Sequence, residues 1–241
     1  MRLAGPVALV WVSLLGGTAC QLQVDEWPEK PVHAAELSLG YSFGCTIDPH
    51  QFAGCWGNIE HGQSGLDESH HRGVPLPITA INEPVLQVAA GGDHACARVA
   101  HGVWCWGHND VKQVANTPAS VVDTPHHAVN REDVDDVAVG QGHSCVLVAG
   151  DVYCWGGNGH GQTGQPSDQE RTLEPTLVPV PGGVALRSLH LGNRHSCALD
   201  ETGGVWCWGI CGSQTSIAYA DCFGFPQCGD GDRCSPVPAQ E

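Results

Sequence analysis

Four times along its 241 residues the chain returns to one pattern: a short apolar run closed by glycine, a cysteine five positions on, then a second cysteine followed at once by Trp-Gly. The first copy is Leu37-Ser-Leu-Gly40-Tyr-Ser-Phe-Gly-Cys45 with Cys55-Trp56-Gly57. The second is Val88-Ala-Ala-Gly91-Gly-Asp-His94-Ala-Cys96 with Cys105-Trp106-Gly107. The third is Val137-Ala-Val-Gly140-Gln-Gly-His143-Ser-Cys145 with Cys154-Trp155-Gly156, and the fourth is Leu189-His-Leu-Gly192-Asn-Arg-His195-Ser-Cys197 with Cys207-Trp208-Gly209. Successive first cysteines are 51, 49 and 52 residues apart. A period near fifty with strand-like content means stacked supersecondary units, each unable to bury its apolar surface alone.

The cysteine pairs give each unit its hairpin. Between Cys96 and Cys105 the midpoint falls at Ala100-His101, and between Cys145 and Cys154 at Ala149-Gly150, both two-residue turns. Cys45 with Cys55 and Cys197 with Cys207 enclose one residue more, which predicts three-residue turns at Pro49-His50-Gln51 and Glu201-Thr202-Gly203. Directly opposed β carbons in an antiparallel pair lie about 4.5–5.5 Å apart, close to disulfide reach. Zinc is disfavoured, because spacers of eight or nine residues do not match its short ligand spacing. In the third unit Asp136 to Val139 predicts an inner strand and Pro175 to Val180 a proline-bounded outer one. Ser235-Pro-Val-Pro238 predicts the outer strand of the last unit. The expected fold is all-β: a β-propeller of four recognisable four-stranded blades with a disulfide in each, forming a closed small ring or an open arc.

The start of the chain predicts export. Arg2 precedes an apolar run from Leu3 to Leu15, too short for a spanning helix. Cleavage before Cys20 is compatible with an ordinary signal peptidase. It is equally compatible with a degenerate lipobox, Leu15-Gly16-Gly17-Thr18-Ala19-Cys20, in which Cys20 carries the lipid. Removing Cys20 from the 13 cysteines leaves an even number, which favours the lipobox. The organisation is then residues 1–19 signal peptide, 20–35 linker, and repeats at 36–84, 85–133, 134–183 and 184–241. The expected location is the bacterial cell envelope, lipid-anchored to the outer membrane, with membrane contact through that lipid only. The last repeat ends in a tail whose Cys211, Cys222, Cys228 and Cys234 predict two further bridges of open connectivity. A formal charge of −16 repels phosphate backbones and argues against nucleic acid as a partner.

The repeated Gly-x-x-His-Ser-Cys, the Cys-Trp-Gly, and the run Gly156-Gly-Asn158-Gly-His-Gly161-Gln162-Thr-Gly164 together resemble the repeat of the regulator of chromosome condensation family. Trp56-Gly57-Asn58 and Gly62-Gln63-Ser64-Gly65 carry it in the first unit. The two-cysteine variant resembles exported bacterial members. The resemblance implies a propeller, usually of seven repeats where four are visible here. Phe43 stands where the other units have histidine, and His108-Asn109-Asp110-Val111-Lys112-Gln113 predicts loss of the glycine-rich turn in the second unit. The family's nuclear members promote nucleotide exchange on a small GTPase bound to chromatin, while exported relatives use their loops to bind proteins. The resemblance therefore implies a non-catalytic binding scaffold presenting loops to an unknown protein or glycan, without cofactor. The alternatives are a propeller lyase or hydrolase with a single pocket, and nucleotide exchange by analogy.

No residue set predicts catalysis: GxSxG, HExxH and phosphate-binding glycine loops are absent. His94, His143 and His195 recur once per unit, as a structural group would, and are expected to bond blade backbone. Trp56, Trp106, Trp155 and Trp208 should pack blade on blade, facing away from the bridges. Asn58, Asn158, Gln63 and Gln162 should brace their own turns. His70-His71 and His126-His127 are pairs with metal-binding side chains. Asp230 and Asp232 offer only a partial calcium set lacking a terminal glutamate, so no metal is assigned.

Overall fold

The computed structural model describes residues 34–66, 72–210 and 233–234. The export segment, Cys20, His70, His71, Cys211, Cys222, Cys228, Asp230 and Asp232 lie outside them, and only the strand position of Cys234 is described.

Each repeat is one antiparallel meander. Unit 1 contains β1 (Glu36–Leu39), β2 (Phe43–Ile47), β3 (Ala53–Gly57) and β4 (Arg72–Pro77). Unit 2 contains β5 (Val85–Ala90), β6 (His94–Val99), β7 (Gly102–His108) and β8 (Val121–Asn130). Unit 3 contains β9 (Val134–Val139), β10 (His143–Val148), β11 (Asp151–Gly157) and β12 (Arg171–Leu177). Unit 4 contains β13 (Leu186–Leu191), β14 (His195–Asp200), β15 (Val205–Ile210) and β16 (Arg233–Cys234). In every sheet the strands lie in chain order.

The hairpins follow the expected registers. Cys45 faces Cys55, Cys96 faces Cys105, Cys145 faces Cys154 and Cys197 faces Cys207. All four pairs are bonded, with Cα atoms 4.1 Å apart. Ala149 (φ 51°) and Gly150 (φ 89°) make the two-residue turn of unit 3 with both central residues at positive φ, as a primed turn requires. The outer strand of unit 3 differs from expectation. β12 begins at Arg171 rather than Pro175, and Pro175 falls where the register slips between Cys154↔Thr176 and Gly156↔Thr172. A proline is tolerated in such a bulge because the ladder needs no N–H there. In unit 4, β16 pairs at Arg233–Cys234 with Ile210 and Gly209, and the Ser235–Pro238 stretch predicted as outer strand lies outside the described residues.

The glycine of each Cys-Trp-Gly is obligatory. Gly57, Gly107, Gly156 and Gly209 have φ of 105°, 109°, 101° and 101°. A Cβ on Gly107 would also sit 2.6 Å from the Asp93 carbonyl oxygen and 2.7 Å from His94 Cα. The residue after Trp lets two strands close together where the outer strand bulges.

The core lies between sheets. Adjacent residues on a strand point to opposite faces, so Cys and Trp of one Cys-Trp pair serve different neighbours. Cys45, Cys55, Ile47 and Ala53 of unit 1 pack with Val85, Val88, Ala97 and Trp106 of unit 2. Cys96, Cys105 and Val103 pack with Val134, Val137, Val146 and Trp155 of unit 3, and Cys145, Cys154, Leu147 and Val152 with Leu186, Leu189, Ala198 and Trp208 of unit 4. Each bridge face thus seats the tryptophan face of the next unit. The inner strands β1, β5, β9 and β13 lie side by side in that order, and no comparable contact joins β13 back to β1 among the described residues. Units 1 and 4 meet at their inner turns, where Asn193 Nδ2 donates to the Tyr41 hydroxyl at 3.4 Å.

Burial makes the bridges unequal. Replacing Cys96 and Cys105 together by alanine removes a cross-link worth about 2–3 kcal/mol and leaves a void between units 2 and 3. Urea denaturation should show a larger fall in midpoint for this variant than for the same change at Cys197 and Cys207, which are only half-buried.

Candidate functional site

The recurring histidines come together with serines of the following unit. Each inner strand ends at a glycine over which the ring lies: a Cβ on Gly140 would fall 2.6 Å from His143 Nδ1. His94 and His143 are wholly buried. His94 Nε2 is 2.9 Å from Ser144 Oγ, and His143 Nε2 is 2.8 Å from Ser196 Oγ. Ser144 Oγ donates its one proton to the Gln113 carbonyl at 2.9 Å, and Ser196 Oγ donates to the Gln162 carbonyl at 2.8 Å. Each serine must therefore accept from histidine, which fixes the neutral imidazole with its proton on Nε2. Nδ1 of both rings carries a lone pair with no hydrogen-bond partner among the described residues. Burial, reinforced by the other histidines nearby, pushes the pKa of each down to about 3. Neither ring exchanges protons near neutral pH, so neither is a general acid or base there.

This corrects the expectation that these histidines bond blade backbone: the partner is a side chain one unit away. Phe43 replaces histidine in unit 1, and the serine of unit 2 is correspondingly Ala95; the two residues share one apolar cluster. His195, in unit 4, is exposed. The tryptophans extend the same contact, Trp106 Nε1 donating to the Gln63 carbonyl and Trp208 Nε1 to the Gln162 carbonyl, each at 3.0 Å.

The loops after Trp-Gly are held open by the same residues. Gln63, Gln113 and Gln162 accept, through Oε1, the N–H of His61, Val111 and His160 respectively. Asn158 Oδ1 accepts from Thr163 N and Oγ1, while its Nδ2 donates to the carbonyls of Gln165, Pro166 and Gln169. Asn109 does the equivalent work in unit 2, accepting from Val114 N and Ala115 N and donating to the Ala115 and Ala119 carbonyls. Asn58 Oδ1 accepts from Glu60 N, and buried Ile59 holds the position matching Asn109. Unit 2 keeps its turn without glycine: Lys112 adopts φ 67° where Gly62 and Gly161 have 74° and 77°. Its Nζ donates to the Thr117 carbonyl at 2.7 Å.

Neighbouring loops are knitted together. The rings of His61 and His108 lie 4.7 Å apart, and Gln63 Nε2 donates to Asp93 Oδ1 at 3.1 Å. Asn116 Nδ2 donates to Glu174 Oε1 at 3.1 Å across the next junction. The rim they form carries exposed Glu60, Asp110, Asp168 and Glu170. His126 and His127 are consecutive on β8 and so face opposite ways; His127 stacks on Trp104 at 4.7 Å. Among the described residues no group of three or more His, Cys, Asp and Glu could hold a metal ion.

Four like sheets, each seating the next through a bridge face and a tryptophan face, define a blade-repeat protein of the propeller class. The repeat matches the regulator of chromosome condensation (RCC1) repeat at residues 55–98 and 149–199, and a second model of that repeat at 85–113, 134–162 and 188–216. The chain belongs to the RCC1 repeat family. It is 38% identical over 181 residues to RCC1 domain-containing protein 1 of Homo sapiens, covering 74% of this chain and 45% of that one. It is 27% identical over 193 residues to the ultraviolet-B receptor UVR8 of Arabidopsis thaliana, covering 78% and 44%. The chain thus spans less than half the length of these relatives. Among solved structures, human WBSCR16 superposes with a TM-score of 0.64 at 21% identity, covering 73% of this chain and 47% of that one. Yeast RCC1 (Prp20) bound to Kap60 superposes with 0.64 at 22%, covering 76% and 45%. At such identities the likeness is one of fold.

Two measurements probe the relay. Ser144→Ala strands the His94 N–H in a dry interface and should cost about 1–3 kcal/mol. Adding His94→Phe recreates the Phe43 and Ala95 arrangement of the first junction, and the double variant should recover most of that loss, a coupling readable from denaturation midpoints. The histidines also set an acid limit. Their folded pKa of about 3 lies below the ordinary 6.5, so the unfolded chain binds more protons between those values. Stability is complete above pH 6.5 and falls as pH drops towards 3, by up to about 1.4 kcal/mol per pH unit for each ring. The double variant should show a correspondingly shallower thermal-midpoint curve over that window.

Proposed function

We propose that this chain is a non-catalytic binding scaffold that presents the loops after Trp-Gly to a protein or glycan partner. One observation carries the reading: these loops, braced by Asn109, Asn158, Gln63, Gln113 and Gln162, meet across unit boundaries through His61 with His108, Asn116 with Glu174 and Arg171 with the Asp110 carbonyl. The recurring polar groups with reactive chemistry, His94 and His143, are meanwhile occupied in holding units together. RCC1-repeat proteins as a class are binding or exchange-factor scaffolds, and yeast Prp20 has been studied for binding to Gsp1p and histones. A rim bearing Glu60, Asp110, Asp168 and Glu170 is poorly suited to phosphate backbones, so we take the partner to be other than nucleic acid. We further place the protein at the bacterial cell envelope, held by lipid on Cys20, on the strength of the short apolar leader before that cysteine.

The test combines location and capture. Membrane fractionation should find the wild-type chain with the envelope and the Cys20→Ser chain released. The wild-type protein, immobilised, should capture a specific envelope protein or glycan. The combined Glu60→Lys, Asp110→Lys and Glu170→Lys variant should lose that capture with an unchanged thermal midpoint, because all three side chains are exposed. Equal capture by both proteins would place the contact elsewhere on the arc.

A further inference from the structure

The residue that follows Trp-Gly is Asn58 in unit 1, His108 in unit 2, Gly157 in unit 3 and Ile210 in unit 4, so unit 2 alone places a titratable group there. His108 lies against Gln113, a side chain only 2% exposed, which braces the turn carrying Asp110, Val111 and Lys112 on the rim.

Hydrogen-bond direction fixes the state of this ring. Gln113 Oε1 accepts the Val111 N–H at 3.1 Å, so Nε2 is the atom that faces His108 Nδ1, at 3.4 Å. An amide NH2 can only donate. Nδ1 must therefore accept, and the ring proton sits on Nε2, 3.0 Å from Asp110 Oδ2. Unit 1 solves the same problem differently: Gln63 Oε1 accepts His61 N, and Gln63 Nε2 donates across the junction to Asp93 Oδ1 at 3.1 Å. The residue of unit 3 that matches Asp93 is Gly142, which has no side chain to accept. The Gln113 amide turns instead to the imidazole of its own unit.

We propose that His108 is a proton switch in the rim between units 2 and 3: protonation makes Nδ1 a donor against the Gln113 amide, releases the Val111 N–H and loosens the turn. Imidazole is the side chain that carries such a change between about pH 5 and 8. Donor would meet donor in a nearly dry site, and flipping the amide would only turn its NH2 towards the Val111 N–H. Val111 is where the loop touches unit 3, since a Cβ on Gly142 or Gly157 would lie 3.4 or 3.3 Å from its Cγ2. The Gln113 carbonyl also takes the Ser144 hydroxyl, which ties the turn to the junction relay.

The charged groups around the ring pull both ways. Asp110 faces Nε2 and favours the cation, whereas His61, its ring 4.7 Å away, opposes it once protonated. Asp93 accepts the His108 N–H through its carbonyl and holds Gln63 with its carboxylate. Buried His94 stays neutral in this range. Lys112 Nζ is turned to the Thr117 carbonyl, and Arg171 reaches the Asp110 carbonyl from unit 3. The switch is a property of the chain; only its effect on a partner, weaker capture in acid, rests on the loop-binding reading.

Long-range proton–nitrogen correlation spectra of the full-length protein should show His108 as the Nε2–H tautomer at about pH 7.5. On acidification to about pH 5.5 the protection factor of the Val111 amide should fall by about tenfold or more, in step with titration of the His108 ring. His108→Asn sets an amide oxygen near the place of Nδ1 and cannot titrate, so Val111 protection should hold across the range. His61→Asn should leave the fall in place, which separates the donor clash from repulsion between two rings. Gln113→Glu replaces the opposing donor by an acceptor and should raise the His108 titration midpoint by about one pH unit relative to wild type. The Nδ1–H tautomer near neutral pH would overturn the proposal. So would unchanged Val111 protection in the wild type, or a fall that persists in His108→Asn or vanishes in His61→Asn. None of these readouts uses a partner, so a failed capture on the rim leaves them standing.

Discussion

Everything in this architecture depends on Cys and Trp being neighbours on one strand. Alternation sends their side chains to opposite faces, so each sheet has two apolar surfaces and no core of its own. The bridge belongs to one interblade core and the indole to the one before it. A buried half-cystine behaves as a compact apolar group, and here it serves as both cross-link and packing surface. Stability is consequently a property of junctions, as expected of stacked repeats.

Apolar packing alone would let blades slide along one another. The His–Ser–carbonyl relay resists this, because a shift by one residue would leave His94 Nε2, Ser144 Oγ and the Gln113 carbonyl unmatched in a dry site. The first junction dispenses with the relay, using Phe43 and Ala95, and still assembles. Its register is held by Glu36 and Ser38, which accept the N–H groups of Val88 and Ala90. Two separate polar devices therefore act on the same degree of freedom, and one suffices at a junction between outer and inner blades.

How much of this was legible in the sequence varies with how local the determinant is. Hairpins could be read because the cysteines of each pair face one another directly, leaving only the turn length to count. The outer strand of unit 3 was misplaced because its proline sits in a bulge, where the usual inference from proline to strand boundary fails. The histidine partner lay some fifty residues away and could be found only by noticing that His94 precedes Ser144 in the next repeat, whereas Phe43 precedes Ala95. Unit 2 does lack the glycines of this turn, and its backbone path was not legible because Lys112 occupies a conformation that glycine ordinarily supplies. Asn58 braces its own turn through Glu60 N, one residue earlier in its loop than Asn109 and Asn158, with Ile59 in the place those two hold.

The division between fixed and variable positions in the loops bears on function. In units 2 and 3 the turn is closed by the same two anchors, Asn109 with Gln113 and Asn158 with Gln162. Between the anchors the residues differ completely, Asp110-Val111-Lys112 against Gly159-His160-Gly161. The anchors point inward and spend their hydrogen bonds on backbone, so the intervening side chains can change without altering the path of the chain. That separates the chemistry of the rim from the stability of the blades, since a loop whose shape is set from beneath can exchange its exposed groups at little cost. Recognition on such a surface is carried by residues that sequence repetition does not mark, and for that reason the repeat motif identifies the scaffold far more sharply than it identifies the ligand.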